Sequence, residues 1–206
     1  MNKNETIFRQ PRMFRCITIG VSAGGMHALS TIIPALPADF PIPIIVIQHI
    51  SPQSDNYTTR YLDSISKIRV KEVDEKEKIL PGKVYTAPPN YHVLIEEDET
   101  FSLSVEDRIN FARPSIDVLF ESAADVYGST LIGVILTGAN NDGSKGLKQI
   151  KEDGGLTIVQ DPDTAEVDGM PRAAIETTRV DYILKLDEIG PFLVKMSKHG
   201  RKKELT

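Results

Sequence analysis

Ser22, His49 and Asp142 are of the three types that together perform nucleophilic acyl transfer, and each stands just beyond a short apolar run. Ser22 is the centre of Gly20-Val21-Ser22-Ala23-Gly24, entered directly from Ile17-Thr18-Ile19. A strand that breaks into Gly-x-Ser-x-Gly and then into a helical pattern lifts one serine to the apex of a tight turn. The amides that follow point at the site from the helix start. Ser22 is therefore a candidate nucleophile, although the same turn could cradle a phosphate or simply connect two elements. His49 follows Ile42–Ile47 in Gln48-His49-Ile50-Ser51-Pro52, where a histidine is either a hydrogen-bonded structural group or a general base. Asp142 follows Leu131–Leu136 in Thr137-Gly138-Ala139-Asn140-Asn141-Asp142-Gly143, just before a helical pattern. It reads as a helix N-cap, or as the carboxylate that fixes the imidazole tautomer and supports the imidazolium, and the two roles are compatible.

The elements that must position these residues are short. Buried-strand runs occur at Phe14–Ile19, Ile42–Ile47, Leu131–Leu136, Leu156–Val159 and Tyr182–Leu184. Helical spacing appears in Met26–Ala35, Thr58–Ile65, Ser115–Val126, Ser144–Lys151 and Ala173–Thr177. Such alternation predicts a doubly wound, mainly parallel α/β sheet with helices on both faces. Between Ile68 and Val105 four β-like pieces, Arg69–Val73, Lys83–Ala87, His92–Ile95 and Phe101–Ser104, follow one another with no helix. They predict an antiparallel β-hairpin edge in the middle of the chain. In an open α/β sheet, ligands bind beyond the carboxyl ends of the strands, and three separate strand ends bring Ser22, His49 and Asp142 to that edge. The other histidines fall elsewhere: His27 on the helix after the elbow, His92 at the start of an antiparallel strand, His199 in the tail. The chain order serine, histidine, aspartate differs from that of α/β-hydrolases.

The chain has 206 residues, 40% hydrophobic and 26% charged, which fits a single soluble globular domain. We expect an N-terminal extension over 1–13, a catalytic domain over 14–195 and a basic tail over 196–206. No apolar run approaches the roughly 20 residues of a spanning helix, and the N-terminus lacks a signal-peptide core, so a cytoplasmic protein without membrane insertion is expected. A net charge of −5 argues against nucleic acid as a partner. Cys16, the single cysteine, reads as a core residue. Dinucleotide binding fits poorly, since Ser22 takes the place of the second glycine and Gln48-His49 that of the acidic residue. A phosphate loop at Gly138–Lys145 has its lysine out of register. No histidine, cysteine and carboxylate cluster shows metal-ligand spacing, so neither a metal nor a cofactor is expected.

Six ordered motifs resemble the catalytic domain of CheB-type chemoreceptor methylesterases. They are Ile19–Gly25, Val46–His49, Val84–Asn90, Arg113–Asp117, Gly133–Gly138 with Asp142-Gly143, and Gln160-Asp161 with Asp168–Ile175. The resemblance runs from about residue 14 to residue 185. It implies hydrolysis of glutamate γ-methyl esters on methyl-accepting chemotaxis proteins, with glutamine deamidation as a second activity, and assigns the triad to Ser22, His49 and Asp142. The oxyanion would be held by the backbone amides of Ala23 and, by resemblance, Ala139. Gly24, Gly25, Asn140 and Met170 are candidates for the substrate cleft.

Two departures stand out. Ala23 replaces the threonine common after the nucleophile, and Ala139-Asn140 replaces Met-Gly, which removes an apolar wall. The variant resembles the methylesterase part of methylesterase–methyltransferase fusions. A receiver domain of about 120 residues does not fit before Phe14, so we expect constitutive activity or control by a separate regulatory partner. Competing functions are a noncatalytic signalling module using the same cleft and a small-molecule serine esterase.

Overall fold

A computed structural model describes residues 13–51, 53–109 and 111–198. Its centre is a seven-stranded sheet in the order β3-β4-β2-β1-β7-β8-β9, with every pairing parallel. The strands are β1 (Cys16–Val21), β2 (Ile44–Gln48), β3 (Arg69–Glu72), β4 (Lys83–Thr86), β7 (Leu131–Ile135), β8 (Leu156–Gln160) and β9 (Tyr182–Leu184). A separate antiparallel ribbon holds β5 (His92–Ile95) and β6 (Phe101–Ser104). The helices are α1 (Gly25–Ile32), α2 (Tyr57–Ile65), α3 (Ile116–Tyr127), α4 (Ser144–Glu152), α5 (Gly169–Thr177) and α6 (Leu186–Ser197). Among the described residues no helix is long and apolar enough to cross a membrane.

The central strands are mostly apolar because the sheet is covered on both faces, with Thr18, Thr157 and Gln160 as buried polar exceptions. Ile17, Ile19 and Val21 of β1 share one core with Leu29 and Ile32 of α1, Leu62 of α2 and Leu193 of α6. Cys16, and Ile45 and Ile47 of β2, turn to the other core. There they meet Phe120 of α3, Leu147 of α4, Ala174 of α5 and Phe101 of the ribbon.

The middle of the chain divides in two. Only β5 and β6 form the expected antiparallel hairpin, and they lie outside the main sheet. The two preceding pieces are parallel neighbours, β3 at the sheet edge and β4 inside it. The connection between them is secured by the ribbon instead of by a helix. Lys76 and Ile79 donate backbone bonds to Phe101 and Glu99, and Phe101 donates back to Glu77. A second difference is α6, for which the sequence carries no clear signal, since Gly190-Pro191 interrupts its pattern. The helix forms because Leu186, Ile189, Gly190 and Leu193 bury one face, and the Glu188 carboxylate accepts from the Lys185 amide at its start. It continues to the buried Ser197, two residues past the expected boundary at 195. The expected extension over 1–12 and the tail from 199 onward lie outside the described residues.

Candidate active site

The first described strand, β1, lies in the middle of the sheet; the chain then winds out through β2 on one side and returns to place β7 on the other. The carboxyl end of β1 is thus the topological switch point, where an open sheet offers a crevice. Register fixes what stands there. Val21 pairs with Gln48 and the His49 amide donates to Val21 O at 3.1 Å, so Ser22 and His49 leave adjacent strands at one level. Gly20 pairs with Ile135, which brings the β7 loop alongside.

The Ser22 elbow is tied at both ends. Its amide donates to Thr137 O at 3.0 Å, and its carbonyl accepts from Gly25 N at 2.9 Å. Gly24 has φ of 79°, a left-handed conformation that side chains resist, and a Cβ there would lie 2.8 Å from Glu166 Cβ. In a trans peptide N–H and C=O point opposite ways, so with the Ser22 carbonyl turned to Gly25, the Ala23 amide points away from the turn. Gly138 approaches Ser22 from the β7 loop: a Cβ there would lie 2.9 Å from Ser22 Cβ and would overlap Met170 Sδ. Among the described residues neither the Ala23 nor the Ala139 amide has an acceptor.

His49 Nε2 lies 2.7 Å from Asp142 Oδ2. Asp142 is 1% exposed, yet richly supplied with donors. Its Oδ2 also accepts from Ile116 N at 2.7 Å, and its Oδ1 accepts from the Ser115 hydroxyl at 2.8 Å and Asp117 N at 3.2 Å. Asp142 therefore does cap a helix, but it is α3 and not α4, which begins just after it. The amide end of α3 favours negative charge. Burial alone would raise the Asp142 pKa. The bonds from His49, the Ile116 amide and the Ser115 hydroxyl, with the attraction of His49, outweigh it and hold the carboxyl below its ordinary value.

Proton positions follow from these partners. An ionised carboxylate only accepts, so Nε2 donates its hydrogen to Asp142, and in the neutral tautomer this leaves the lone pair on Nδ1. The Asp142 amide donates to Asn140 Oδ1 at 3.2 Å, which orients the Asn140 side chain and places its Nδ2 3.4 Å from His49 Nδ1. In that tautomer the Nδ1 lone pair faces the Asn140 amino group, and a lone pair on this nitrogen is what a general base requires.

Two clefts flank this centre. One, of about 300 Å³, is lined by His49, Ile50, Ser51, Arg108, Phe111, Ala112, Arg113, Pro114 and Asn140. The other, of about 570 Å³, is lined by Ser22, Gly24, Gly25, Met26, His27, Ser30, Gln48, Tyr61 and Glu166. Of the cleft candidates, Gly24, Gly25 and Asn140 line these spaces. Met170 does not: it is 1% exposed and packs under Gly138, because its amide bonds Gly138 O at 2.8 Å and draws the start of α5 down onto the loop. Its place is beneath the cleft floor.

Sequence reasoning missed Ser115, the α3 amides and the apolar Phe111, which is 95% exposed at the mouth of the first cleft. The signal for Ser115 was its place at the start of a helical pattern, where a buried anion is best received. His92, whose strand lies outside the main sheet, braces the same helix start: its Nδ1 accepts from Ser115 N at 3.2 Å and its Nε2 donates to Asp107 O at 3.1 Å.

The family model for CheB methylesterase matches residues 17–193. A Leptospira interrogans protein, provisionally named protein-glutamate methylesterase/protein-glutamine glutaminase, is 56% identical over 187 residues, 91% of this chain and 97% of its own. An Archaeoglobus fulgidus protein-glutamate methylesterase/protein-glutamine glutaminase is 41% identical over 183 residues, 87% of this chain but 52% of its own length. The crystal structure of the Thermotoga maritima CheB methylesterase catalytic domain superposes with a TM-score of 0.86 at 39% identity, covering 89% of this chain and 98% of that one. On sequence and on fold together, the chain belongs to the CheB methylesterase family.

Proposed function

We propose that this chain is a protein-glutamate methylesterase that hydrolyses glutamate γ-methyl esters on methyl-accepting chemotaxis receptors, with Ser22, His49 and Asp142 as its catalytic residues. The observation that carries the reading is the imidazole at the switch point of the sheet. A buried, charged Asp142 holds its Nε2–H at 2.7 Å, which leaves Nδ1, 3.4 Å from Asn140 Nδ2, as the nitrogen that can act as base. A serine on the adjacent strand end is the natural proton donor to that nitrogen.

In this reading the reaction is acyl transfer through a tetrahedral intermediate. Ser22 Oγ attacks the ester carbonyl as Nδ1 takes its proton. The Ala23 and Ala139 amides receive the oxyanion, and removing one such donor typically costs roughly 100- to 1,000-fold. Nδ1–H then protonates the methoxy oxygen, the C–O bond breaks and methanol leaves. Water, deprotonated by the same nitrogen, hydrolyses the acyl-serine and restores Ser22. Deamidation of a glutamine follows the same course with ammonia as the leaving group. The macromolecular partner in this reading is the methylated cytoplasmic segment of a receptor, which places the enzyme in the cytoplasm.

The test is methanol release from methylated receptor cytoplasmic domains by the unmodified protein and by Ser22→Ala. Release by the first and none by the second is expected. Release by both, or by neither, overturns the assignment.

A further inference from the structure

Taking the methylesterase reading as its basis, we propose that Asn140 selects esters over amides, by holding an N–H donor where the leaving group must sit. Two observations locate that donor. The Asp142 amide fixes Asn140 Oδ1 at 3.2 Å, so the opposite end of the side chain is the amino group, and it lies 3.4 Å from His49 Nδ1. Any atom that Nδ1–H is to protonate must approach Nδ1 to about 2.6–3.2 Å, which brings it within reach of the same amino group.

The chemistry at that point distinguishes oxygen from nitrogen. In the resting enzyme the Asn140 N–H faces the Nδ1 lone pair. When Ser22 gives its proton to Nδ1, that lone pair is consumed and the Asn140 N–H faces another donor. A methoxy oxygen resolves the conflict because it has two lone pairs. One takes the proton from Nδ1 as the C–O bond breaks, and the other accepts from Asn140. The nitrogen of a glutamine amide offers no available lone pair in its planar ground state. In the tetrahedral intermediate it has one, which the proton from Nδ1 occupies, and its own N–H groups then oppose Asn140. A donor left without an acceptor in a desolvated site costs enough to produce discrimination of an order of magnitude or more.

The experiment uses one receptor cytoplasmic domain prepared with a glutamate γ-methyl ester, or with a glutamine, at the same position. Both hydrolyses are followed by mass spectrometry, with incubations long enough to measure the amide. Asn140→Ala removes the donor. Asn140→Asp removes it while keeping an oxygen for the Asp142 amide, and carries the test if the alanine variant fails to fold. The ratio of ester to amide kcat/KM is expected to fall about ten-fold or more in the variants. A merely structural role would lower both rates alike, so an unchanged ratio overturns the proposal. Failure of the underlying reading looks different: the unmodified protein would release no methanol, and the proposal would fall with it.

Discussion

Asp142→Asn separates the charge of the carboxylate from its hydrogen bonds, and the structure indicates how. An amide nitrogen at the Oδ2 position would face two donors, His49 Nε2–H and the Ile116 amide, both at 2.7 Å. At the Oδ1 position, among the described residues, it would face the Asp117 amide at the longer distance of 3.2 Å and the Ser115 hydroxyl, which can rotate to accept. The second placement wins, so the side-chain carbonyl of the variant would still take the Nε2–H and the tautomer would survive. What disappears is the negative charge beside the imidazolium that the proposed mechanism forms in its transition state. Unit charges about 4 Å apart in surroundings of effective dielectric near 20 attract by roughly 4 kcal/mol, which is about three orders of magnitude in rate. Losing the Asp117 bond and the charge on the α3 N-terminus should cost roughly 1–3 kcal/mol of stability. The assay pairs kcat for methanol release with urea unfolding. A kcat within ten-fold of the unmodified enzyme would refute the reasoning, because it would mean that the carboxylate charge does not support the imidazolium.

Other expectations concern the surroundings of the triad. Ser115→Ala removes one Asp142 bond without touching the imidazole, so kcat for methanol release should fall less than ten-fold while the urea midpoint drops. Gly138→Ala inserts a Cβ 2.9 Å from Ser22 Cβ and into Met170 Sδ; kcat should fall at least ten-fold, and a crystal structure should show a displaced elbow. Burial, with repulsion from Asp142 added, pushes the Asp117 carboxyl up to about 6, against an unfolded value of about 3.9. Its contribution to stability is full below pH about 4 and is lost as pH rises through 6, so Asp117→Asn should flatten that decline by about 1–3 kcal/mol in urea unfolding at pH 4 and pH 8.

Most of the sheet was legible because its strands are buried on both faces. Continuous apolar runs such as Ile42–Ile47 and Leu131–Leu136 leave few alternatives, and the strand-end rule then collects Ser22, His49 and Asp142. The pairing of β3 with β4 was not legible, because the connection that makes it parallel is held by distant bonds to Glu99 and Phe101. Helix α6 was hidden by Gly190-Pro191, and it forms through packing against α1 that local propensity does not report. Within the site, residue types could be read but not their atoms. Which imidazole nitrogen meets Asp142, and whether that carboxylate caps α4 or α3, depend on the approach of α3 to the loop after β7. The burial of Met170 depends on a bond from its own amide to Gly138 O. No spacing in the sequence encodes these.

Under the proposed mechanism, the placement of Asp142 on α3 links folding to catalysis. Asp142 supplies acceptors to the first amides of α3, while Asp117 in the first turn of α3 accepts from Gly146 N of α4 at 2.8 Å. Each helix start is thus completed by a carboxylate from the other segment, which fixes the loop 137–143 relative to α3. Without those amide donors, burying Asp142 would favour its neutral form, and a neutral acid could not support an imidazolium. The capping bonds therefore keep the carboxylate charged and hold the imidazole in one tautomer before substrate arrives. Stability and turnover should for that reason be coupled at Asp142. They should separate at Ser22, whose ties to the fold run through its backbone amide and carbonyl, while the proposed chemistry uses the side chain.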